Sequence, residues 1–420
     1  MNFNQAMEFI GSYSKSGKPV TDLSRAEDLM KRIGNPEKSL KFVHVAGTNG
    51  KGSTVEYISN ALIYSGYKTG QFTSPFVLHY TDRIRINSTE IDEESLCRIA
   101  EFVRECVADQ EYSQFEITMA IALLWFEREG CDIVVLEAGI GGLLDCTNVI
   151  PPPLVSVITS ISLDHTAILG DTVERIARQK AGIIKKGSAV VLVDGNTPNV
   201  IRIVESTAKK YEAEFILTER CSCGQPTVND GMSFTYKGDF FKTQMLGNAQ
   251  ALNASASVEV CRYLRRKGFD ISEETIKRAV SSTQVKARLQ LVSHEPDILV
   301  DGGHNPDGIR NLTQLLFQWH CPVYAVVGMV NSKDYDEGVT MISRHSRKIF
   351  TVDDFAHNAV PAERLADIAG KHTTAVPCGL LEEAVAKAKA LAFENDGLVV
   401  VCGSLYLASK YLNMYENLQK

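Results

Sequence analysis

A lysine set among glycines and followed by hydroxyls, Gly47-Thr48-Asn49-Gly50-Lys51-Gly52-Ser53-Thr54, has the residue types to hold a polyphosphate. Glycines let successive backbone N–H groups turn toward one anion. The lysine adds a mobile charge, and a helix starting there adds the partial positive charge of its N-terminus. The usual P-loop spacing is not met: with Lys51 in register, Val45 stands at the first glycine position and Gly52 at the hydroxyl position. An ordinary strand-to-helix turn is the competing reading of such a Gly-Lys pair. Farther on, Glu137 ends an apolar run and enters Ala138-Gly139-Ile140-Gly141-Gly142. An acid so placed can hold Mg2+ beside phosphates, or can simply cap the glycine turn. His165 follows another apolar run, where by residue type alone it reads as a surface or packing residue more readily than as a ligand.

These residues need strands to carry them, and the apolar pattern supplies them. A strand over 42–46 leads into the cradle, a helix over 51–64 closes at Gly66, and a strand over 67–72 completes a βαβ unit of the parallel-sheet kind. Thr73-Ser74-Pro75-Phe76 then sits at a strand's C-terminal end, where open α/β sheets bind ligands. Helices over 92–107 and 115–128, strands over 132–136 and 154–159, and a helix from about 171 that carries Lys180 continue the alternation. Next come strands over 189–193 and 214–217 flanking a helix over 198–211, a hairpin around Tyr236-Lys237-Gly238-Asp239, a long helix over 247–268 and another over 273–281.

The pattern breaks over 285–296, and a second α/β series starts with a strand over 297–300, followed by Asp301-Gly302-Gly303-His304-Asn305-Pro306 and a helix over 307–319. Strands over 323–327, 348–352 and 398–401 alternate there with helices near 336–344, 362–370 and 380–393. The expected architecture is an α/β ATPase domain with a parallel-rich sheet over 1–290, and a smaller doubly wound α/β domain over 291–420.

Composition bounds the function. The 420 residues are 44% hydrophobic and 23% charged, as in a globular protein with full cores. A net charge of -7 argues against a nucleic-acid binder, so an anionic ligand needs a local basic cluster. The ten cysteines hold neither a zinc spacing nor a C-x-x-C, which reads as reduced thiols. No signal peptide or bilayer-spanning run is evident, so a cytoplasmic protein without a membrane partner is expected.

Several loops together carry a resemblance. The variant cradle, Thr73-Ser74-Pro75, Asp82-Arg83-Ile84-Arg85-Ile86-Asn87, the stretch 137–148, Asp164-His165 with Leu169-Gly170-Asp171-Thr172, and Lys180-Ala181-Gly182-Ile183 occur in order. Gln250 and Asn253, Ala287-Arg288-Leu289, the Asp301 to Pro306 run and Gly403-Ser404-Leu405-Tyr406-Leu407 follow. In these motifs the chain resembles folylpolyglutamate synthase and dihydrofolate synthase, of the Mur ligase superfamily of ATP-dependent amide-forming enzymes. The resemblance implies that Lys51 and the loop amides hold the ATP phosphates, while Ser53, Ser74, Glu137 and His165 surround two Mg2+ ions. Lys180 matches a lysine that the family carries as a carbamate, able to ligate a second ion; on residue type alone it would be a solvated helix lysine. Asn253 would face the adenine, Arg288 the phosphates, Asp301 the ribose, and His304 the nucleotide or the reacting groups. The implied substrates are ATP, L-glutamate and a folate or pterin acid, the implied chemistry an acyl phosphate that an amine displaces, and the expected state a monomer.

The chain departs from the family pattern at four single positions and in one short stretch. Leu143 replaces an arginine, Ala249 a histidine, and Gln179 and Gln290 replace glutamates; only part of a Lys-Asp-Lys-Asp pattern survives over 331–334. Folate polyglutamylation is the leading expectation, with dihydropteroate ligation as an alternative or second activity. A ligase with a non-folate acceptor, and a nucleotide-binding switch without turnover, are the other readings.

Overall fold

The computed structural model describes residues 1–13, 21–107, 111–226, 231–331 and 335–419. They form two compact units. The first comprises Met1–Cys221, Tyr236–Asp239 and Leu252–Ser281, the second Ser222–Thr235, Phe240–Ala251 and Ser282–Lys420.

In the first unit the strands are β1 (Phe42–Ala46), β2 (Thr69–Phe72), β3 (Ile84–Ile86), β4 (Thr89–Glu90), β5 (Ile133–Glu137), β6 (Val155–Ile158), β7 (Ala189–Leu192) and β8 (Glu214–Leu217). Among the described residues they form one sheet of order β4-β3-β2-β5-β1-β6-β7-β8. Pairing is parallel from β2 to β8, and β3 and β4 add an antiparallel edge. β1 and β2 flank β5 with the helix Lys51–Tyr64 between them in sequence, so the expected βαβ unit is present with one strand inserted. The central strands β1, β5, β6 and β7 are buried along their whole length, as a parallel sheet covered on both faces requires.

The helix Gln114–Arg128 shows how local signals and packing agree. Ser113 and Glu116 form a reciprocal capping box, and Arg25 pairs with Glu116 at 2.9 Å. From Glu116 to Phe126 every residue is buried, so this helix is apolar all round and packs within the core with Phe72, Ile84 and Phe42.

A short sheet of order β11-β10-β9 follows, built from β9 (Ser222–Cys223), β10 (Met232–Tyr236) and β11 (Asp239–Thr243), with Phe234 stacked on Phe241 at 5.2 Å. The second unit also holds β12 (Gln290–His294), β13 (Asp297–Val300), β14 (Val323–Val327), β15 (Lys348–Val352), β16 (Thr374–Gly379) and β17 (Leu398–Cys402), in the order β12-β13-β17-β14-β15-β16. Within this six-stranded sheet the pairings are parallel except β12 with β13. Its core joins Leu299, Val323, Ala325, Val327 and Val400 of the sheet to Ile309, Leu312 and Leu365 from the covering helices.

Candidate active site

The cradle grows out of β1 at the centre of the first unit's sheet. Gly50, left-handed at φ 86°, opens the helix Lys51–Tyr64. Among the described residues no side chain caps that end, so the first-turn N–H groups keep their polarity for an anion. The two bends leave no room for side chains. A Cβ on Gly47 would lie 1.7 Å from Thr159 Oγ1, and one on Gly50 2.3 Å from Asn253 Oδ1. Neighbouring loops tie the cradle down. Thr159 Oγ1 donates to Asn49 O at 2.7 Å, the Thr48 N–H to Ser160 O at 2.7 Å, and Thr48 and Ser162 bond reciprocally at 3.1 Å.

Charged groups converge on this turn. Lys51 Nζ donates to Thr48 O at 3.3 Å and lies 3.9 Å from Glu137 Oε1. Glu137, buried at the end of β5, accepts the Ser74 N–H at 3.2 Å. Gly52 stays clear of the same carboxylate, since a Cβ there would sit 3.5 Å from Glu137 Oε2. Lys180, 3% exposed, reaches back from the helix Val173–Ala181 and donates to Gly47 O at 2.7 Å. Burial, and then the charge of Lys51, lower its pKa to about 7 against the opposing pull of Asp164 and Asp145. Ser53 and Thr54 are buried in the first helical turn.

The structure therefore brings Lys51, Ser74, Glu137 and Lys180 to the cradle, and places Asn253 against Gly50 in a buried position. His165 stands differently. It is exposed, left-handed at φ 47°, at the start of the short helix Thr166–Leu169, with Nε2 3.9 Å from Asp164 Oδ1.

In the second unit, Asp301 directly follows β13 and is buried, which raises its pKa. Its Oδ1 accepts the Leu289 N–H at 3.1 Å and its Oδ2 the Gly303 N–H at 3.0 Å. The carboxylate thus holds the segment bearing Arg288, where Ala287 (φ 56°) and Leu289 (φ 47°) are both left-handed without being glycine. Arg288 Nη1 would be 3.0 Å from a Cβ on Gly302, and its charge opposes the rise in Asp301's pKa. His304 is exposed, and its Nδ1–H donates to Gly302 O at 3.2 Å, which leaves the ring's lone pair on Nε2.

With this geometry in view, the comparisons with known proteins are decisive. The Mur ligase middle domain matches residues 45–261, and the Mur ligase glutamate ligase domain matches 287–405. The folylpolyglutamate synthase of Lacticaseibacillus casei is 32% identical, over 97% of either chain. The chain belongs to the folylpolyglutamate and dihydrofolate synthase family of Mur ligases. The dihydrofolate synthase/folylpolyglutamate synthase of Bacillus subtilis is also 32% identical, over 92% of this chain and 93% of its own. Among solved structures, E. coli FolC in complex with DHPP and ADP superposes with a TM-score of 0.87 at 25% identity, over 100% of this chain and 99% of that one.

Two of the departures from the family pattern have local explanations. Gln290 Oε1 accepts the Ala287 N–H at 2.9 Å, a contact that needs an acceptor and no charge. Gln179 serves through its backbone, where its carbonyl accepts the Leu143 N–H at 2.6 Å. Leu143 is 42% exposed, and its Cβ leaves no space for a side chain at Gly182. Nothing in the structure explains Ala249, and 332–334 lie outside the described residues.

Sequence reasoning missed a buried set beneath the cradle: His44, Asp145 and Thr147. A histidine inside the apolar run Val43-His44-Val45 was the available signal.

Proposed function

We propose that this ligase adds L-glutamate to a folate, using ATP and releasing ADP and phosphate. The observation that carries the reading is the convergence of Lys51, Glu137 and Lys180 on one glycine cradle in a chain of this family. A carboxylate is a poor electrophile, so the acceptor's carboxyl oxygen first takes the γ-phosphoryl group of ATP, giving an acyl phosphate. The amine of glutamate then attacks that carbonyl, the tetrahedral intermediate expels phosphate, and the amine loses a proton. Both steps gather negative charge, which the uncapped helix N-terminus and Lys51 stabilise.

The donor set fits Mg2+. Among the described residues no three His, Cys, Asp or Glu side chains gather into a cluster, and a hydrated ion bridging phosphates needs only one or two carboxylates. Glu137, with the hydroxyls of Ser53 and Ser74, would hold it, and the family resemblance adds His165, which is exposed in this structure. When bound it would neutralise phosphate charge. Lys180 as a carbamate would add a second carboxylate there. In the second unit the family resemblance assigns Arg288 to the phosphates, Asp301 to the ribose and His304 to the nucleotide or the reacting groups, and in the first unit it assigns Asn253 to the adenine. No described helix is long and apolar enough to cross a membrane, and we place the enzyme in the cytoplasm as a monomer.

Dihydropteroate ligation to glutamate is the second reading, favoured by the relative from Bacillus subtilis that carries both names and by the FolC complex with DHPP. Purified protein with ATP, Mg2+ and glutamate, offered dihydropteroate, tetrahydrofolate and a folate monoglutamate, should add one glutamate to at least one of them by mass. Absence of ADP release with every pterin would overturn both readings.

A further inference from the structure

The loop that follows Glu137 touches two parts of the site. Its Gly142 packs so closely on the helix bearing Lys180 that a Cβ would meet Gln179 O at 2.9 Å and Lys180 O at 3.0 Å. Asn148 Nδ2, near its far end, donates to Leu143 O at 3.1 Å and to Gly182 O at 3.2 Å. One carboxylate closes this loop. Asp145 Oδ2 accepts the Ile140 N–H at 2.8 Å, while Oδ1 accepts the Thr147 N–H at 3.0 Å and the Thr147 hydroxyl at 2.5 Å.

The hydroxyl of Thr147 has one proton, and it goes to Asp145. The oxygen can therefore only accept from His44 Nε2, 2.9 Å away on β1. That fixes His44 as the neutral Nε2–H tautomer, with Nδ1 buried and without a partner among the described residues. Full burial, helped by the charge of Lys185, drops the His44 pKa to about 3, so the ring stays a neutral donor. His44 lies on β1, three residues before Gly47, which follows the end of that strand. A buried polar group in the central strand of a parallel sheet is costly unless it is hydrogen-bonded, and such a bond rigidifies the groups it joins.

We propose that His44 and Thr147 are positioning residues for the ligase: a relay from β1 through the Thr147 hydroxyl to Asp145 that sets the Glu137 loop against the cradle and the Lys180 helix. The kinetic part rests on the ligase reading; the structural part does not.

Thr147→Val removes the hydroxyl at nearly constant volume, and Thr147→Ser keeps it. Hydrogen–deuterium exchange over 138–150 should be faster in Thr147→Val by at least about tenfold and unchanged in Thr147→Ser. Well below each variant's melting temperature, kcat of Thr147→Val should fall at least about tenfold with little change in KM for ATP, while Thr147→Ser stays within about threefold of the parent. Should Thr147→Val fail to fold, His44→Gln, which can keep a donor near the Nε2 position, is compared with His44→Leu in the same way. Equal effects of the two members of a pair, unchanged exchange, or faster exchange at unchanged kcat would each overturn the proposal. A parent protein that ligates no pterin would overturn the ligase reading instead, and the exchange comparison would still decide whether the relay holds the loop.

Discussion

Lys180 Nζ donates a hydrogen bond of 2.7 Å to the carbonyl of Gly47, the first glycine of the cradle. The side chain is buried and its pKa is lowered to about 7, so near neutrality much of it is a free amine, the form that attacks CO2. Capture would replace an ammonium with a carboxylate where cations are needed. Lys180→Ala should therefore lose most turnover, and bicarbonate or short carboxylic acids should restore part of it. Carbon-13 NMR of the parent protein under labelled CO2 should show one carbamate signal that the variant lacks. Unchanged turnover in the variant, or no such signal, would remove the carbamate from the mechanism.

The same shift has a consequence for stability. In the unfolded chain this amine titrates near 10.5, and in the folded protein near 7. Between those values the unfolded state binds more protons, so this group's contribution to stability improves as pH rises through the window and is least favourable below pH 7. In CO2-free buffer, Lys180→Met should raise the melting temperature most below pH 7, with the advantage shrinking toward pH 10. A difference constant across the series would show that the folded amine titrates normally.

Lys51 belongs to the cradle itself, with its Nζ 3.9 Å from Glu137 Oε1. Lys51→Ala should lower kcat by at least about a hundredfold, the cost of removing one preorganised group from a developing anion. Steady-state assay with the native substrates checks this; activity near that of the parent would mean that the cradle amides alone suffice.

Much of the candidate site is readable from local sequence because the cradle residues come from one turn, where spacing is geometry. β14 and β15 likewise follow directly from their apolar runs. Elements that depend on partners are harder to read. β16 contains Pro377, which an edge strand tolerates because its outer N–H row is unpaired. β12 has no buried residue and gains its structure by pairing antiparallel with β13. The β3–β4 edge is short, and the helix Leu405–Gln419 follows a segment that reads as a motif. The His44–Thr147 bond spans 103 positions, a separation that no local pattern encodes.

Gly50 is required twice, by its left-handed φ of 86° and by the approach of Asn253. Gly50→Ala combines about 1–2 kcal/mol of left-handed strain with a collision that pushes the helix start away from its anion. Calorimetry should show a clear loss of ADP affinity, larger than the accompanying fall in melting temperature would suggest. Equal ADP affinity in the two proteins would mean that the turn can relax without moving its N–H groups.

Asp301 offers the sharpest separation between holding a loop and touching a ligand. Both of its oxygens accept backbone N–H groups, and the segment they hold carries two left-handed non-glycine residues, each costing about 1–3 kcal/mol unless its surroundings fix it. Asp301→Asn keeps an acceptor for Leu289 but turns an NH2 group toward the Gly303 N–H, whereas Asp301→Ala loses both bonds. If the carboxylate acts by holding Arg288 in place, stability and kcat should fall together, by a small step in Asn and a larger one in Ala, with about 1–3 kcal/mol at stake for each buried N–H left unpaired. If it acts only by accepting from the ribose, denaturant titration should find both variants as stable as the parent, and a 2′-deoxynucleotide should erase the difference in KM between them.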